Sequence, residues 1–306
     1  MLVNFDSFLE WENGCNTGNI PLWKPVIEYE KHQRNRTEND VWDRISASYL
    51  VMREAIDTGL TQDMTSRSGM INNGAKKIRE SSIVVLSPEF KTLIMRSVAA
   101  KEVNSCMGRI VAAPTAGASG ILPGVLATLQ EIHSLSNQTI YEGMLVAAWI
   151  ALIIERKASI SGAVGGCQAE TGTAAAMGAG AIVYCLGGSI PQVFDAVAVT
   201  IMNMLGLVCD PIAGLVEVPC VKRNASAAVI AFSSAQIALA GDSSIIPVDE
   251  VVEAMGEIGQ NMDTTLKETA LGGLAVTPTA KIITKKVLNQ NIFEDIVDIP
   301  DPDEVS

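Results

Sequence analysis

Apolar side chains return every three or four positions in NDVWDRISASYLVMREAIDTG, where Val41, Ile45, Tyr49, Met52 and Ile56 share one stripe. That spacing predicts an amphipathic helical stretch from Val26 to about Gly59, which is placed as its C-cap. TSRSGMINNG (65–74) breaks the pattern with hydroxyls and Gly/Asn turn formers and reads as a polar loop. A helix from roughly Pro88 to Met107 leads into AAPTAGASGILPG (112–124), a long run of small residues, glycine and proline. An apolar helix over 140–156 follows, then SISGAVGGCQAETG (159–172). TAAAMGAGAIVYCLGG (173–188) reads as a helix of small residues and Gln192–Leu207 as another. GLVCDPIAGLVEVPCVKRN (206–224) is irregular, ASAAVIAFSSAQIALAG (225–241) is an Ala/Ser helix with a glycine stop, and 248–271 is amphipathic. Residues 1–25 mix aromatics with Asn, Gly and Pro and read as a loosely structured lead-in. The acidic tail after about Leu288, ending IPDPDEVS, lacks periodicity and is expected to be disordered.

Period-two alternation is nearly absent, the best strand candidate being SIVVL (82–86). The expected fold is therefore all-α: a compact bundle of Ala/Gly/Ser-rich helices whose axes approach closely, with Gly/Pro-rich loops carrying the site. Composition agrees, since the 306 residues are 48% hydrophobic but only 5% aromatic, so close backbone packing must replace bulky side chains.

Charge narrows the partners. A formal net charge of -12 argues against nucleic acid and anionic membrane, both of which need a basic footprint. The cluster KHQRNR (31–36) reads as a solvated helix face. MLVNFDSFLEWENG at the N-terminus lacks the apolar core of a secretory signal. GMLVAAWIALII (143–154) falls short of the roughly 20 residues a membrane span needs and reads as a buried helix. Six cysteines without tight spacing make no disulfide framework, so the cytoplasm, with reduced thiols, is the expected compartment. From Ala158 to Val221 there is no Lys or Arg at all: that stretch is either deeply buried or built around something positive.

The cysteines divide into two groups. Cys185, in AIVYCLGG, has apolar neighbours at helical spacing and belongs to a core; Cys15 and Cys106 have no partners nearby in sequence. Cys167 follows Gly-Gly, Cys209 precedes Asp-Pro and Cys220 follows Pro, so each thiol projects from the end of an element, as thiolate ligands of iron or zinc often do. Their separations fit no short metal motif, and spacing alone favours three half-buried cysteines over a metal site. If a metal is present, three thiolates fall short of the four a structural zinc wants. A cubane held by three would leave one iron open as a Lewis acid, which is the chemistry of dehydration.

Five blocks then carry a resemblance: TSRSGMINNGAKKI (65–78), EVNSCMGRIVAAPTAGASGILPGVL (102–126), SISGAVGGCQAETGTAAAMGAGA (159–181), NMLGLVCDPIAGLVEVPCVKRNA (203–225) and ETALGGLAVTPTAK (268–281). With them in this order, the chain resembles the alpha subunits of bacterial iron–sulfur L-serine dehydratases from about Asn19 to Leu288. Residues 19–288 are thus expected to form the catalytic domain, between a loosely ordered segment 1–18 and a tail 289–306. The resemblance implies a largely helical fold and a 4Fe–4S cluster on Cys167, Cys209 and Cys220 with the fourth iron facing substrate. It also implies conversion of L-serine to pyruvate and ammonia through aminoacrylate, without pyridoxal phosphate. The chain itself offers no evident Schiff-base lysine beside a glycine-rich phosphate cup.

Ser66, Ser68, Thr115 and the N–H groups of the glycine turns are candidates for holding the substrate's carboxylate and amine; the same hydroxyls would equally serve as turn formers. Arg223 or Asn224 could bond substrate or a cluster sulfur, whereas Lys222 and Arg223 could equally be a surface pair at a helix start. Glu170 stands as a base, as a group supporting the ligands, or as a carboxylate at the start of the helix it precedes. The only histidines, His32 and His133, fall away from the motifs. In single-chain relatives a further region precedes the part matched here, so a separate beta subunit is expected to complete the site. Two rivals remain: L-cysteine desulfidation on the same scaffold, and a non-catalytic iron–sulfur sensor or structural subunit.

Overall fold

The computed structural model describes residues 5–289, which fold into thirteen α-helices joined by loops and short 3₁₀ turns. Among these residues, strand-like pairing is confined to two isolated bridges, Thr65–Asn72 and Cys209–Lys267. The expected all-α architecture is the one found. SIVVL is not a strand: Ile83, Val85 and Leu86 stand exposed in a loop. The tail beyond Asn289 lies outside the described residues.

The N-terminal segment corrects the sequence reading. Residues Phe8–Gly18 form a helix, α1, begun by Ser7, whose hydroxyl accepts from the Glu10 N–H. Phe8, Trp11 and Cys15 fall one, then two turns apart and are buried, Phe8 meeting Phe194 edge-on at 5.2 Å. Asn and Gly between them hid a helical stripe. The stretch expected to be continuous from Val26 is two helices, α2 (Lys24–Arg34) and α3 (Glu38–Thr61). Asn35, at φ 52, closes the first, and a Thr37–Asp40 capping box opens the second. Gly59 lies inside α3, and a β-carbon there would meet the Ala99 carbonyl oxygen at 2.3 Å, so this glycine permits a helix contact rather than ending a helix.

Next come α4 (Gly74–Glu80), α5 (Pro88–Ser105), α6 (Ile121–His133), α7 (Asn137–Lys157) and the single turn α8 (Gly162–Gly165). The chain continues through α9 (Thr173–Cys185), α10 (Ile190–Met202), α11 (Cys220–Leu239), α12 (Val248–Asn261) and α13 (Pro278–Asn289). Compared with expectation, α10 stops at Met202 rather than Leu207, and α11 starts at Cys220 rather than near Ala225. The amphipathic 248–271 ends at Asn261, where Asp263 accepts from the Thr265 N–H and starts a 3₁₀ turn.

Two helices organise the bundle. α9, small on every side, is buried along all its residues but Tyr184 and packs against α6, α7, α10 and α11. α7 is long and apolar enough to match a membrane span (21 residues, mean hydropathy 1.3), yet its stripe from Ile140 to Ile154 is buried on α9 and its neighbours. α5 is the second hub, touching α3, α4, α6 and α11. It carries two adjacent buried charges. Glu102 accepts from the N–H groups of Gly74 and Ala75 at 2.7 and 3.0 Å and so caps α4. Lys101 points the other way, into the site.

Candidate active site

The three cysteines at element ends are each buried, Cys167 against Cys209 and Cys220 close enough to Cys167 for their charges to act on one another. Gly166, at φ 76, reverses the chain after α8, and Cys167 opens a wide π-type turn (Gln168–Gly172) running directly into α9. The Cys167 sulfur lies 2.8 Å from the Thr171 hydroxyl. Buried Gln168 ties this turn outward, donating to the Met255 carbonyl at 3.0 Å and accepting from the Gly206 N–H at 2.8 Å. Cys209 is held by backbone bonds on both sides, its N–H donating to Leu266 and its carbonyl accepting from Glu268. Cys220 is the first residue of α11.

The Cys167 and Cys209 thiols share a hydrogen bond. It draws the Cys167 thiol below its ordinary value and, with burial, pushes Cys209 up. Burial pushes Cys220 to about 12, against the nearby Lys101 ammonium. The remaining cysteines lie elsewhere: Cys15 on the buried face of α1, Cys106 at the end of α5, and Cys185 in the core, as its neighbours predict.

Glu170, in the π-type turn, faces the 112–120 loop. The Thr115 hydroxyl donates to its Oε1, and the carboxyl rests on Gly117. On the other side, a β-carbon on Gly162 would find Cys209 Sγ at 3.2 Å, Glu268 Oε2 at 3.3 Å and Glu170 Oε2 at 3.6 Å. The missing side chain of Gly162 thus leaves space that a thiol and two carboxylates line. Glu268, in a left-handed conformation at φ 63, titrates above its ordinary range through partial burial and the charge of Glu170.

Asn224 is wholly buried, and its amide is used on backbone: it accepts from the Gly120 N–H at 2.9 Å and donates to the carbonyls of Gly117 at 2.8 Å and Cys220 at 2.9 Å. It clasps the glycine loop to the start of α11. Ser66 and Ser68 both donate to Glu217 Oε2, Ser66 at 2.7 Å. They also accept from the N–H groups of Ile71 and Met70, so the turn reading of these hydroxyls holds alongside any other. Arg223 is not half of a surface pair with the exposed Lys222. It donates to the Val208 carbonyl at 2.8 Å and pairs with Asp210 at 2.9 Å, bracing both flanks of Cys209.

Lys101, Glu217, Glu268, Gln168 and Asp210 escape sequence reasoning. For Lys101 a signal existed: Ser97, Lys101, Asn104 and Ser105 put polar side chains at helical spacing on a helix that must be buried. Lys101 is fully buried and touches the glycine loop, a β-carbon on Gly120 falling 2.8 Å from its own. Burial lowers its ammonium to about 8, against the pull of Cys220, Glu170 and Glu217. A lysine beside a glycine-rich loop is therefore present after all. The stretch 158–221, free of Lys and Arg, receives its positive charge from outside, from Lys101 on α5 and Arg223 on α11. Neither histidine is at the site: His32 is exposed beside Glu28 and His133 is exposed at the end of α6.

Among the described residues no three Cys, His, Asp or Glu side chains converge on a point for one metal ion. The donor set fits a polynuclear group better: three soft thiols on separate segments, each able to take its own iron, with no fourth cysteine beside them.

Thiols and carboxylates on loops and element ends, with a buried cation on α5 beside them, make this the candidate active site of the helical bundle. Residues 17–275 match the family described as serine dehydratase alpha chain, and the chain belongs to that family. It is 42% identical over 279 residues to the L-serine dehydratase alpha chain of Peptoniphilus asaccharolyticus, covering 90% of this chain and 96% of that one. To the probable L-serine dehydratase alpha chain of Bacillus subtilis it is 43% identical over 265 residues, covering 86% and 88%. The L-serine dehydratase 2 of Escherichia coli is 34% identical over 279 residues, which is 87% of this chain but 59% of that protein.

Proposed function

We propose that this chain is the catalytic alpha subunit of a cytoplasmic L-serine ammonia-lyase, converting L-serine to pyruvate and ammonia, and that Cys167, Cys209 and Cys220 hold a 4Fe–4S cluster. The observation that carries the reading is the meeting of these three thiols beside Glu170 and the 112–120 loop, in a chain whose relatives are named L-serine dehydratases. When bound, a cubane with three thiolate ligands supplies an open iron, a Lewis acid that makes a hydroxyl a better leaving group.

The chain's own residues supply the rest. In this reading Glu170, which accepts from Thr115 and rests on Gly117, takes the α-proton. The Cα–H electron pair becomes the new double bond as the β-hydroxyl leaves and is protonated to water. The aminoacrylate so formed tautomerises to an imine, which water hydrolyses to pyruvate and ammonia. Thr115 and its loop hold the polar end of the amino acid. Ser66 and Ser68 act through Glu217, and Asn224 through the backbone of the glycine loop.

A beta subunit completes the site. What supports that reading is that the relatives matched over most of their own length are named alpha chains.

The test is iron and acid-labile sulfide per chain after anaerobic purification. Cys167→Ala, Cys209→Ala and Cys220→Ala should each lose the cluster, and Cys185→Ala should keep it. Full iron in all three single variants defeats the cluster, as would a borohydride-reducible chromophore on Lys101. Elimination rates from serine, threonine and cysteine, with and without the beta chain, decide substrate and partner.

A further inference from the structure

Lys101 is a charge that the proposed reaction does not use. Its ammonium, wholly buried, donates to Asn104 Oδ1 and to the Val216 carbonyl at 3.0 Å, and Ser105 Oγ donates to that same carbonyl at 3.1 Å. Val216 lies within the ten-residue segment that joins Cys209 to Cys220. Its neighbour Glu217 is held from the other side by Ser66 and Ser68. The segment bearing the second and third thiols is thus fastened between α5 and the 65–74 loop.

A buried ammonium bonded only to a neutral amide and a carbonyl keeps its full charge, and such a charge needs an answer nearby. The groups that act on it are Cys220, Glu170 and Glu217, all negative when ionised. Arg223, the other cation facing the cysteines, is already matched by Asp210. Three thiolates carry more negative charge than an oxidised cubane core carries positive, so a cluster here leaves an excess of negative charge beside Lys101.

We propose that Lys101 is a positioning residue for the cluster site. Its charge offsets the negative charge of the ligating thiolates, and its hydrogen bonds hold the Cys209–Cys220 segment where they converge. This rests on the cluster reading above.

The test reconstitutes the full chain anaerobically with ferrous iron and sulfide and reads iron per chain and the midpoint potential. Lys101→Met removes the charge at similar volume, and Lys101→Arg keeps it. Asn104→Asp, at the half-buried end of α5, neutralises the ammonium without touching the core, and decides the matter if the Lys101→Met chain does not fold. The Met and Asp variants should lose cluster iron, or keep it with the potential moved negative, because a lost positive charge disfavours the added electron. A purely structural lysine would not move the potential of a cluster that is retained. A folded Lys101→Met or Asn104→Asp chain with wild-type iron and potential overturns the role of Lys101 and leaves the cluster standing, as does a Lys101→Arg chain shifted as far as Lys101→Met. A wild-type chain that takes up no iron overturns both.

Discussion

The carboxyl of Glu170 occupies the place where Gly117 would otherwise carry a side chain: a β-carbon there would lie 2.4 Å from Oε1 and 2.7 Å from Oε2. Gly117 keeps an ordinary backbone conformation, so the nearest obstacle to an alanine is this movable carboxyl. Gly117→Ala should therefore swing Glu170 away from Thr115 and the thiols while the bundle stays folded. A displacement of about an ångström at a reacting group costs roughly 10²-fold in rate. The measurement is kcat beside a denaturation curve. Activity near wild type would mean that Glu170 takes no part in the chemistry.

Asn224 serves stability through the loop it clasps. Asn224→Ala strands the Gly120 N–H and the Gly117 carbonyl in a buried place, while the Cys220 carbonyl keeps its helical partner at the start of α11. Buried unsatisfied groups cost about 1–3 kcal/mol each, and some relax, so a loss of roughly 2–4 kcal/mol is expected in urea unfolding. Asn224→Asp keeps the acceptor for Gly120 but sets a charge against two carbonyl oxygens, and should be no better. A loss under about 0.5 kcal/mol for both would deny the clasp.

Why some of this was legible in the sequence and some was not follows from what a linear pattern can encode. The small-residue helix at 173–185 and the ends that present Cys167, Cys209 and Cys220 could be read because composition and Gly/Pro placement are local. α1 escapes the pattern because Asn13 and Gly14, which favour turns, interrupt the stripe of Phe8, Trp11 and Cys15, and tertiary burial overrides them. Lys101, Glu217 and Glu268 were missed for a different reason. Each gains its meaning from a partner more than a hundred residues away or from a neighbouring backbone, as Lys101 does from Val216 and Glu217 from Ser66. Asn224 gains its place from three backbone partners on two segments that the sequence cannot bring together.

Gly59 carries a prediction of the opposite kind from Gly117, because its obstacle is backbone. A β-carbon there would lie 2.3 Å from the Ala99 oxygen and 2.6 Å from the carbonyl carbon, and neither can rotate away. Gly59→Ala should force α3 off α5, at a cost of about 1–3 kcal/mol, with the gain in helix propensity recovering under 1 kcal/mol. Thermal unfolding checks it. A more stable Gly59→Ala chain would show that α3 and α5 do not pack this closely.

Lys101 predicts a pH dependence whose sign is fixed by its surroundings. Folded, its ammonium titrates at about 8, because burial penalises the charge; in the unfolded chain a lysine titrates at roughly 10.4. Below pH 8 both states hold the proton, and the folded chain bears the whole cost of burying it. Between about pH 8 and 10.4 the folded lysine gives up its proton while the unfolded one keeps it, so the unfolded state binds more protons and stability rises with pH. Above that window both are neutral and the cost is gone. The shift corresponds to about 3 kcal/mol. Lys101→Met has no proton to lose, so the stability of the metal-free wild-type chain relative to Lys101→Met should climb by up to about this amount from pH 7.5 to 10. Urea unfolding of both chains across that range measures the difference directly, and titrating groups common to the two largely cancel. A flat difference would mean that Lys101 reaches solvent or stays charged throughout. A fall would require a negative group to hold its proton in place, against the burial that dominates here.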